Sequence, residues 1–515
     1  VPTPGEKKSR KRSPTELSQA DRESAFIMAE SGDGIVPADD GIQSDVPAMA
    51  RAPSYRTTAL IIACALFMQN LDATVLATAL PTMARDFAVP PTGIGLALTS
   101  YLLALAIFIP ASGTMADRYG ARRVFQIAIA LFVTGSIACG LSTDLTTLVI
   151  ARFVQGGGGA MMVPVGRLVL LRTVAKRDLV SAMSWLAMPA MIGPILGPPV
   201  GGLIVTYLDW RWIFWINVPM GTLGIVLVQK FIEDVRSTDA PPLDRRGFVL
   251  SGLALGATLF GLQLASRPGH AGSALPLLAI GLAATFGYVA HASRTARPIL
   301  DLDLLRVPTF RLSVIGGTLI RITQGAQPFL LPMLMQLAFG LSAAASGAVT
   351  VATAVGAFAM KSVARPALRR FGFRTSLSVI GVLAPLSYAV TGFFRPGWPW
   401  LAISAVLFVC GFLVSLQFTA YNTIAYDEIE QPRLSAATSF YSTFQQLALS
   451  LGVCAASGIL SLAMAVRGHA QPQFEDFSVA IWAVVAISLT ALFFNLRFDP
   501  SAGAELSGHG MPRGG

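Results

Sequence analysis

After a polar stretch of some fifty residues, the chain alternates between long apolar runs and short polar breaks almost to its end. The runs fall at 57–80, 94–112, 124–142, 146–170, 179–206, 212–229, 247–265, 274–292, 311–336, 344–364, 375–393, 398–420, 435–465 and 478–496. Most reach the ~20 residues that a helix needs to cross a bilayer core of ~30 Å. The pattern predicts an all-α polytopic membrane protein of fourteen spans. A spanning helix satisfies every backbone polar group within itself, as the bilayer core requires.

Composition agrees. Hydrophobic residues make up 53% of the 515 and charged residues 13%, about half the charged share of an average soluble domain. The formal charge of +10 first suggests an acidic partner such as nucleic acid, but its distribution suggests topology. With the N-terminus in the cytoplasm, thirty of the 38 Lys and Arg residues fall on the cytoplasmic side. Five (Arg85, Arg211, Arg267, Arg395 and Arg467) fall outside, and Arg152, Arg167 and Arg321 lie inside spans. That is the positive-inside bias, and it puts both termini in the cytoplasm. Trp210, Trp212 and Trp215, and then Trp398 and Trp400, stand at outer span ends, where Trp anchors at the interface. The basic cluster Lys7–Arg12 is followed by no apolar segment before residue 57, so it is not read as a signal peptide. Residues 1–56 read as a disordered cytoplasmic tail.

An internal echo suggests duplication. Arg118-Tyr119-Gly120-Ala121-Arg122 follows the second span, and Arg370-Phe371-Gly372-Phe373-Arg374 follows the tenth, 252 residues later. The expected organisation is a six-helix bundle at 57–229, two extra spans and linkers at 230–310, a second six-helix bundle at 311–496 and a cytoplasmic tail at 497–515. Parallel repeats of this kind are a transporter architecture.

Cys64, Cys139, Cys410 and Cys454 all lie in apolar runs, and the four His residues are scattered; neither set has metal-ligand or triad spacing. Gly156–Gly159 is followed by no Gly-Lys-Ser/Thr, so it reads as close helix packing rather than a phosphate loop. The chemistry concentrates on one acid. Asp72 is the sole carboxylate placed well inside a span, roughly 12 Å from its outer end. Intramembrane charges are costly and usually functional. Desolvation and a nearby cation shift a carboxylate in opposite directions, so a balanced site can load and release a proton. Arg152 in span four lies at nearly the same depth, with Gln155 one turn on. The expected proton-coupling set is Asp72, Arg152 and Gln155; the plainer reading is a structural ion pair. Gly193, Pro194, Gly197, Pro198 and Gly201 make span five a breaker-rich helix, either a packing kink or a leak-tight gate contact. Arg321, Gln324 and Arg167 are the candidate substrate contacts. Arg321 is ten residues into span nine, and no added intramembrane acid accompanies the cations. An anionic, zwitterionic or neutral substrate is therefore expected.

These motifs resemble those of a known family. Residues 113–123, with Gly113, Asp117, Arg118, Gly120, Arg122 and Arg123, resemble the cytoplasmic gating loop of the major facilitator superfamily. Leu71-Asp72-Ala73-Thr74 with Ala79-Leu80-Pro81, Arg152-Phe153-Val154-Gln155-Gly156 and Arg211–Pro219 resemble the fourteen-span drug:proton antiporters of the EmrB/QacA branch; Ala77 and Thr78 stand where that branch carries an Asn. Gly159–Arg167 and Gln417–Ile424 are similar to HsrA-type transport proteins. The resemblance implies a proton-coupled secondary transporter of the bacterial inner membrane, an exporter of small organic molecules or drugs working by alternating access. It implies no cofactor and no enzyme activity, since the proton gradient supplies the drive. The implied partners are the lipid bilayer, a small-molecule substrate, protons and periplasmic adaptor proteins, with no nucleic acid. A proton-coupled importer, a channel or a membrane-embedded enzyme are the alternatives.

Overall fold

The structure is a computed structural model that describes residues 55–174, 179–232, 242–265, 271–507 and 509. The expected disordered tail, up to residue 54, lies outside the described residues. Among the described residues every regular element is helical. The first six helices are α1 (Tyr55–Asp86), α2 (Gly95–Tyr119), α3 (Ala121–Gly140), α4 (Leu145–Thr173), α5 (Leu179–Tyr207) and α6 (Trp212–Phe231). Two more follow, α7 (Arg245–Ala265) and α8 (Ala271–Ala292). The last six are α9 (Pro308–Met333), α10 (Ala343–Ala359), α11 (Lys361–Val390), α12 (Trp400–Ile424), α13 (Leu434–Arg467) and α14 (Phe474–Leu489).

Each of the fourteen apolar runs lies largely in one of these helices, but the described residues contain eleven helices long and apolar enough to cross a membrane. The shortfall has physical reasons. In the fifth run the apolar helix among described residues is Ile192–Tyr207, and the tenth run is a helix of 17 residues, Ala343–Ala359. The ninth, 311–336, carries Arg311, Arg321 and six Thr, Ser or Gln residues besides two prolines, which lowers its mean hydropathy.

The packing carries the repeat. In the first six helices α1 packs on α5, α2 on α4, α3 on α4 and α3 on α6. Eight helices later the same pairs recur: α9 on α13, α10 on α12, α11 on α12 and α11 on α14. The two six-helix groups meet where α5 crosses α10 and α2 crosses α13. Exchanging the halves turns one crossing into the other, as a two-fold relation requires. Of the extra pair, α7 lies against both α2 and α13.

The echoed sequence marks equivalent joints. The short link expected at 113–123 is a single residue. α2 runs to Tyr119, Gly120 takes φ 94°, and α3 starts at Ala121. Residues 365–374, expected as a loop, are helical within α11 apart from a break at Gly372, with φ 70°. A side chain with a Cβ is strained at such φ, so the helix direction changes at one glycine in each half.

The halves share their largest apolar core at one end; a smaller cluster, Leu103 of α2 with Leu259 of α7 and Cys454 of α13, joins them part-way along. The C-terminal part of α1, the start of α2 and Trp210 cluster with Phe329–Met335, Phe394 and Phe477. At the other end the large clusters belong to the first half or to the second with α8. The joined end has polar stitches as well. Gln336, in a π-helical turn after α9, donates from Nε2 to the Thr78 carbonyl at 2.9 Å, and the Ala344 amide donates to Thr206 Oγ1 at 2.9 Å. Gly347 of α10 lies against the Pro198 carbonyl of α5, where a Cβ would overlap it. Overpacking of this kind costs about 1–3 kcal/mol. Gly347→Val should therefore disfavour the joined arrangement. The check is maleimide labelling of purified protein carrying Ser346→Cys, a fully buried position at this crossing. The rate should rise with Gly347→Val, and an unchanged rate would contradict the crossing's role.

Candidate functional site

Five helices of the first half converge on a buried polar cluster. α4 begins at a capping box in which Asp144 accepts the Thr147 amide at 3.0 Å; that bond holds the exposed Asp144 carboxyl below its usual value. Two turns on, Arg152 points inward with a fully buried side chain. Its Nη1 donates to Asp72 Oδ2 of α1 at 2.6 Å and to Gln155 Oε1 at 2.7 Å, and its Nε donates to the Ala97 carbonyl of α2 at 3.4 Å. Tyr101 of α2 presents its ring 4.3 Å from the guanidinium carbon, a favourable site for a desolvated cation.

Asp72 is 2% exposed and accepts three N–H groups. Besides Arg152, Gln155 Nε2 donates to its Oδ1 at 2.9 Å and Asn217 Nδ2 donates to the same oxygen at 2.8 Å. Asn217 also donates to Ser136 Oγ at 2.9 Å, and Ser136 donates to the Phe214 carbonyl at 2.9 Å. Local backbone explains the convergence. Gly135 of α3 has no Cβ where it meets the Gln155 backbone, with 2.5 Å from an added Cβ to that nitrogen. α3 can therefore bring Ser136 alongside Gln155. The backbone of α6 stays helical through Ile216, with φ −61° and ψ −26°, and α6 packs on both α1 and α3, which brings Asn217 between Asp72 and Ser136.

The structure thus brings together Asp72, Arg152 and Gln155, the set expected from sequence. Sequence reasoning missed Asn217, Ser136 and Tyr101. Asn217 left a signal, a polar residue inside an apolar run and within the Arg211–Pro219 motif, which had been given no role. Ser136 left none, because small hydroxyls are common along spans. The breaker-rich helix touches α1 beside the cluster: Gly193 faces Asn70, Gly197 faces Thr74 and Gly201 faces Thr78 and Val75. Pro194 and Pro198 lie on the same stretch, half-buried.

The other expected residues lie elsewhere. Near the Gly120 joint, Gly113 and Arg123 are exposed, and Asp117 is half-buried. Arg118 lies over the Tyr119 ring at 5.8 Å. Arg122 Nη2 donates to the Gln229 carbonyl at 2.9 Å, tying the start of α3 to the end of α6. Arg321 sits in the second half, 3% exposed. Gln324 beside it is half-buried, and Arg167 of α4 is exposed. Among the described residues no group of three or more His, Cys, Asp or Glu side chains has metal-binding geometry.

Two repeated bundles of apolar helices, joined at one end and holding a buried ion pair, form the architecture of a multi-pass membrane transporter. The sequence profile of the Major Facilitator Superfamily matches residues 62–453 and, again, 313–510. The chain belongs to that superfamily. It is 36% identical over 465 residues to a protein named multidrug resistance protein MdtD of Pectobacterium atrosepticum, covering 87% of this chain and 97% of the relative. It is 38% identical over 409 residues to a protein of that name from Serratia proteamaculans, covering 78% and 84%. Among solved structures, a D-xylose–proton symporter superposes with a TM-score of 0.61 at 15% identity, over 87% of this chain and 98% of that one. A bacterial homologue of the lysosomal transporter Spinster, inward-facing and unoccupied, gives 0.60 at 14% identity over 86% and 97%. At such identities these two show the shared fold alone.

Proposed function

We propose that this protein is a proton-driven exporter of small organic molecules, and that Asp72 carries the proton. The observation behind this reading is the carboxylate itself, buried at membrane depth and held by Arg152, Gln155 and Asn217. Protonation of Asp72 would remove its charge and weaken all three bonds, which tie α1 to α4 and α6. That couples proton occupancy to helix positions, as antiport needs. The names of the MdtD relatives support export of drug-like compounds.

In this reading both termini are cytoplasmic and the membrane is the bacterial inner membrane, in keeping with the bias of Lys and Arg. The joined end is then the outer one, and the arrangement faces the cytoplasm. The halves 57–229 and 311–496 rock about the α5–α10 and α2–α13 crossings. A proton enters from outside, binds Asp72 and leaves to the cytoplasm as substrate departs the other way. The gradient supplies the free energy, at about 2.3 kcal/mol per charge per 100 mV, so no cofactor is required.

Ethidium and carboxyfluorescein accumulation in cells, with and without induced transporter, tests the direction. Export predicts lower steady-state accumulation of at least one dye, reversed by a protonophore. Higher accumulation on induction would contradict export and indicate an importer. The Gly120 joint yields a second prediction. Asp117 stands three residues before it and helps hold the cytoplasmic ends in one state. Asp117→Ala should slow turnover without greatly weakening equilibrium binding; weaker binding with unchanged turnover would contradict this.

A further inference from the structure

The second half contains a buried cation built quite differently from Arg152. Arg321 is 3% exposed, and among the described residues no carboxylate lies within ion-pair distance of it. Its Nη2 donates to Tyr441 Oη at 3.0 Å and to Asn422 Oδ1 at 3.3 Å. Its guanidinium carbon lies 5.1 Å from the Tyr441 ring and 5.5 Å from the Phe418 ring. Its Nε has no hydrogen-bond partner. Gly317, one turn earlier, leaves the room that Nη1 occupies. The site is therefore shaped around a guanidinium whose charge no described carboxylate compensates; Arg152 also has an orphaned donor, Nη2, so the missing acid is what sets Arg321 apart. An uncompensated charge or an orphaned donor is expensive in a low-dielectric interior.

A second cation acts on the same cluster from the first half. Arg167 belongs to α4 in the first half and is exposed. It acts electrostatically on Tyr426, just past the end of α12 in the second half, whose hydroxyl burial pushes up to about 12. Tyr426 packs edge-on against Tyr441 at 5.8 Å, and Tyr441 is the group that holds Arg321. Tyr426, Tyr441 and Arg321 thus form one series of contacts in the second half, and Arg167 of the first half is within electrostatic reach of its Tyr426 end. The series lies toward the end where the halves do not share a core. Half-buried Phe418 and Asn422 flank Arg321 with a flat apolar face and an amide.

We propose that this series is the substrate site and that it takes small organic acids, with a carboxylate docking on Arg321 and the bound anion drawn in by Arg167. The oxyanion supplies the charge that no described side chain supplies, and the guanidinium fork matches a carboxylate's two oxygens. The Phe418 face accepts the apolar part of the acid. A lipophilic cation would instead add positive charge beside two positive groups.

The inference rests on the transporter reading, but its test is independent of proton coupling, because equilibrium binding needs no gradient. Purified full-length protein in detergent is titrated with benzoate and succinate, and with benzylamine and putrescine as cations of matched size. Binding is read as saturable thermal stabilisation. One or both acids should stabilise the wild type. Arg321→Gln should weaken that binding by about tenfold or more, Arg321→Lys should restore part of it, and Arg167→Gln, at an exposed position that folding tolerates, should weaken it less. Asp72→Asn should still bind the acid. Stabilisation by the amines alone, by neither acid, or by an acid equally in Arg321→Gln and Arg167→Gln would overturn the proposal. Acid binding that depends on Arg321, found together with normal gradient-driven transport in Asp72→Asn, would instead sink the coupling role and leave this site standing.

Discussion

In Asp72→Asn the protein should still insert and fold, but gradient-driven transport should be lost. Asparagine has nearly the same shape, and its Oδ1 can still accept from Arg152 Nη1, which lies 2.6 Å from the present carboxylate. It has no carboxylate to protonate and release, so the coupling of proton occupancy to the α1–α4 and α1–α6 bonds disappears. Insertion is read by a monodisperse peak on size exclusion and transport by efflux under an imposed pH gradient. Passive, downhill exchange of substrate should survive. If Asp72→Asn pumps at the wild-type rate, the cluster is a structural pair and the proton travels elsewhere.

Arg152→Met should be the more damaging change to stability. It leaves Asp72 buried among apolar groups with only the amide donors of Gln155 and Asn217. Removing one partner of a buried pair costs about 3–5 kcal/mol, whereas replacing both with apolar or neutral groups is often close to neutral. The double variant Asp72→Asn with Arg152→Met should therefore be more stable than Arg152→Met alone. Thermal or denaturant unfolding in detergent, arranged as a double-mutant cycle, measures the coupling. Additive losses would mean that the two side chains do not act as a pair.

Much of this was legible in the sequence because bilayer physics is restrictive. Apolar length located the helices, and the rarity of acids within spans singled out Asp72. Matching depth paired it with Arg152. Asn217 was harder to see, since which face of α6 turns toward Asp72 depends on how α6 packs against α1 and α3, and that does not show in hydropathy. The segment 365–374 was read as a loop because its charges look like loop charges. Helix simply continues through the exposed Arg365, Arg369 and Arg370 where nothing but Gly372 interrupts it. Arg321 shows the opposite limit: its depth was evident, but that Tyr441 and Asn422 rather than an acid hold it depends on α12 and α13, a hundred residues away. The count of spans is where length and composition alone reach furthest beyond the structure. α9 keeps its helix through two prolines and a buried arginine, features that no hydropathy threshold separates from a re-entrant segment.

The most direct test of proton exchange at Asp72 is made in everted membrane vesicles with an acid interior, reported by acridine orange quenching. Benzoate, succinate, ethidium and carboxyfluorescein are added in turn to vesicles with wild-type protein, with Asp72→Asn and without transporter. The account predicts that at least one compound relieves the quenching with wild-type protein and that the same compound does nothing beyond the empty-vesicle background with Asp72→Asn. Equal relief with wild-type and Asp72→Asn protein, or compound uptake by the wild type with no proton movement, would contradict it.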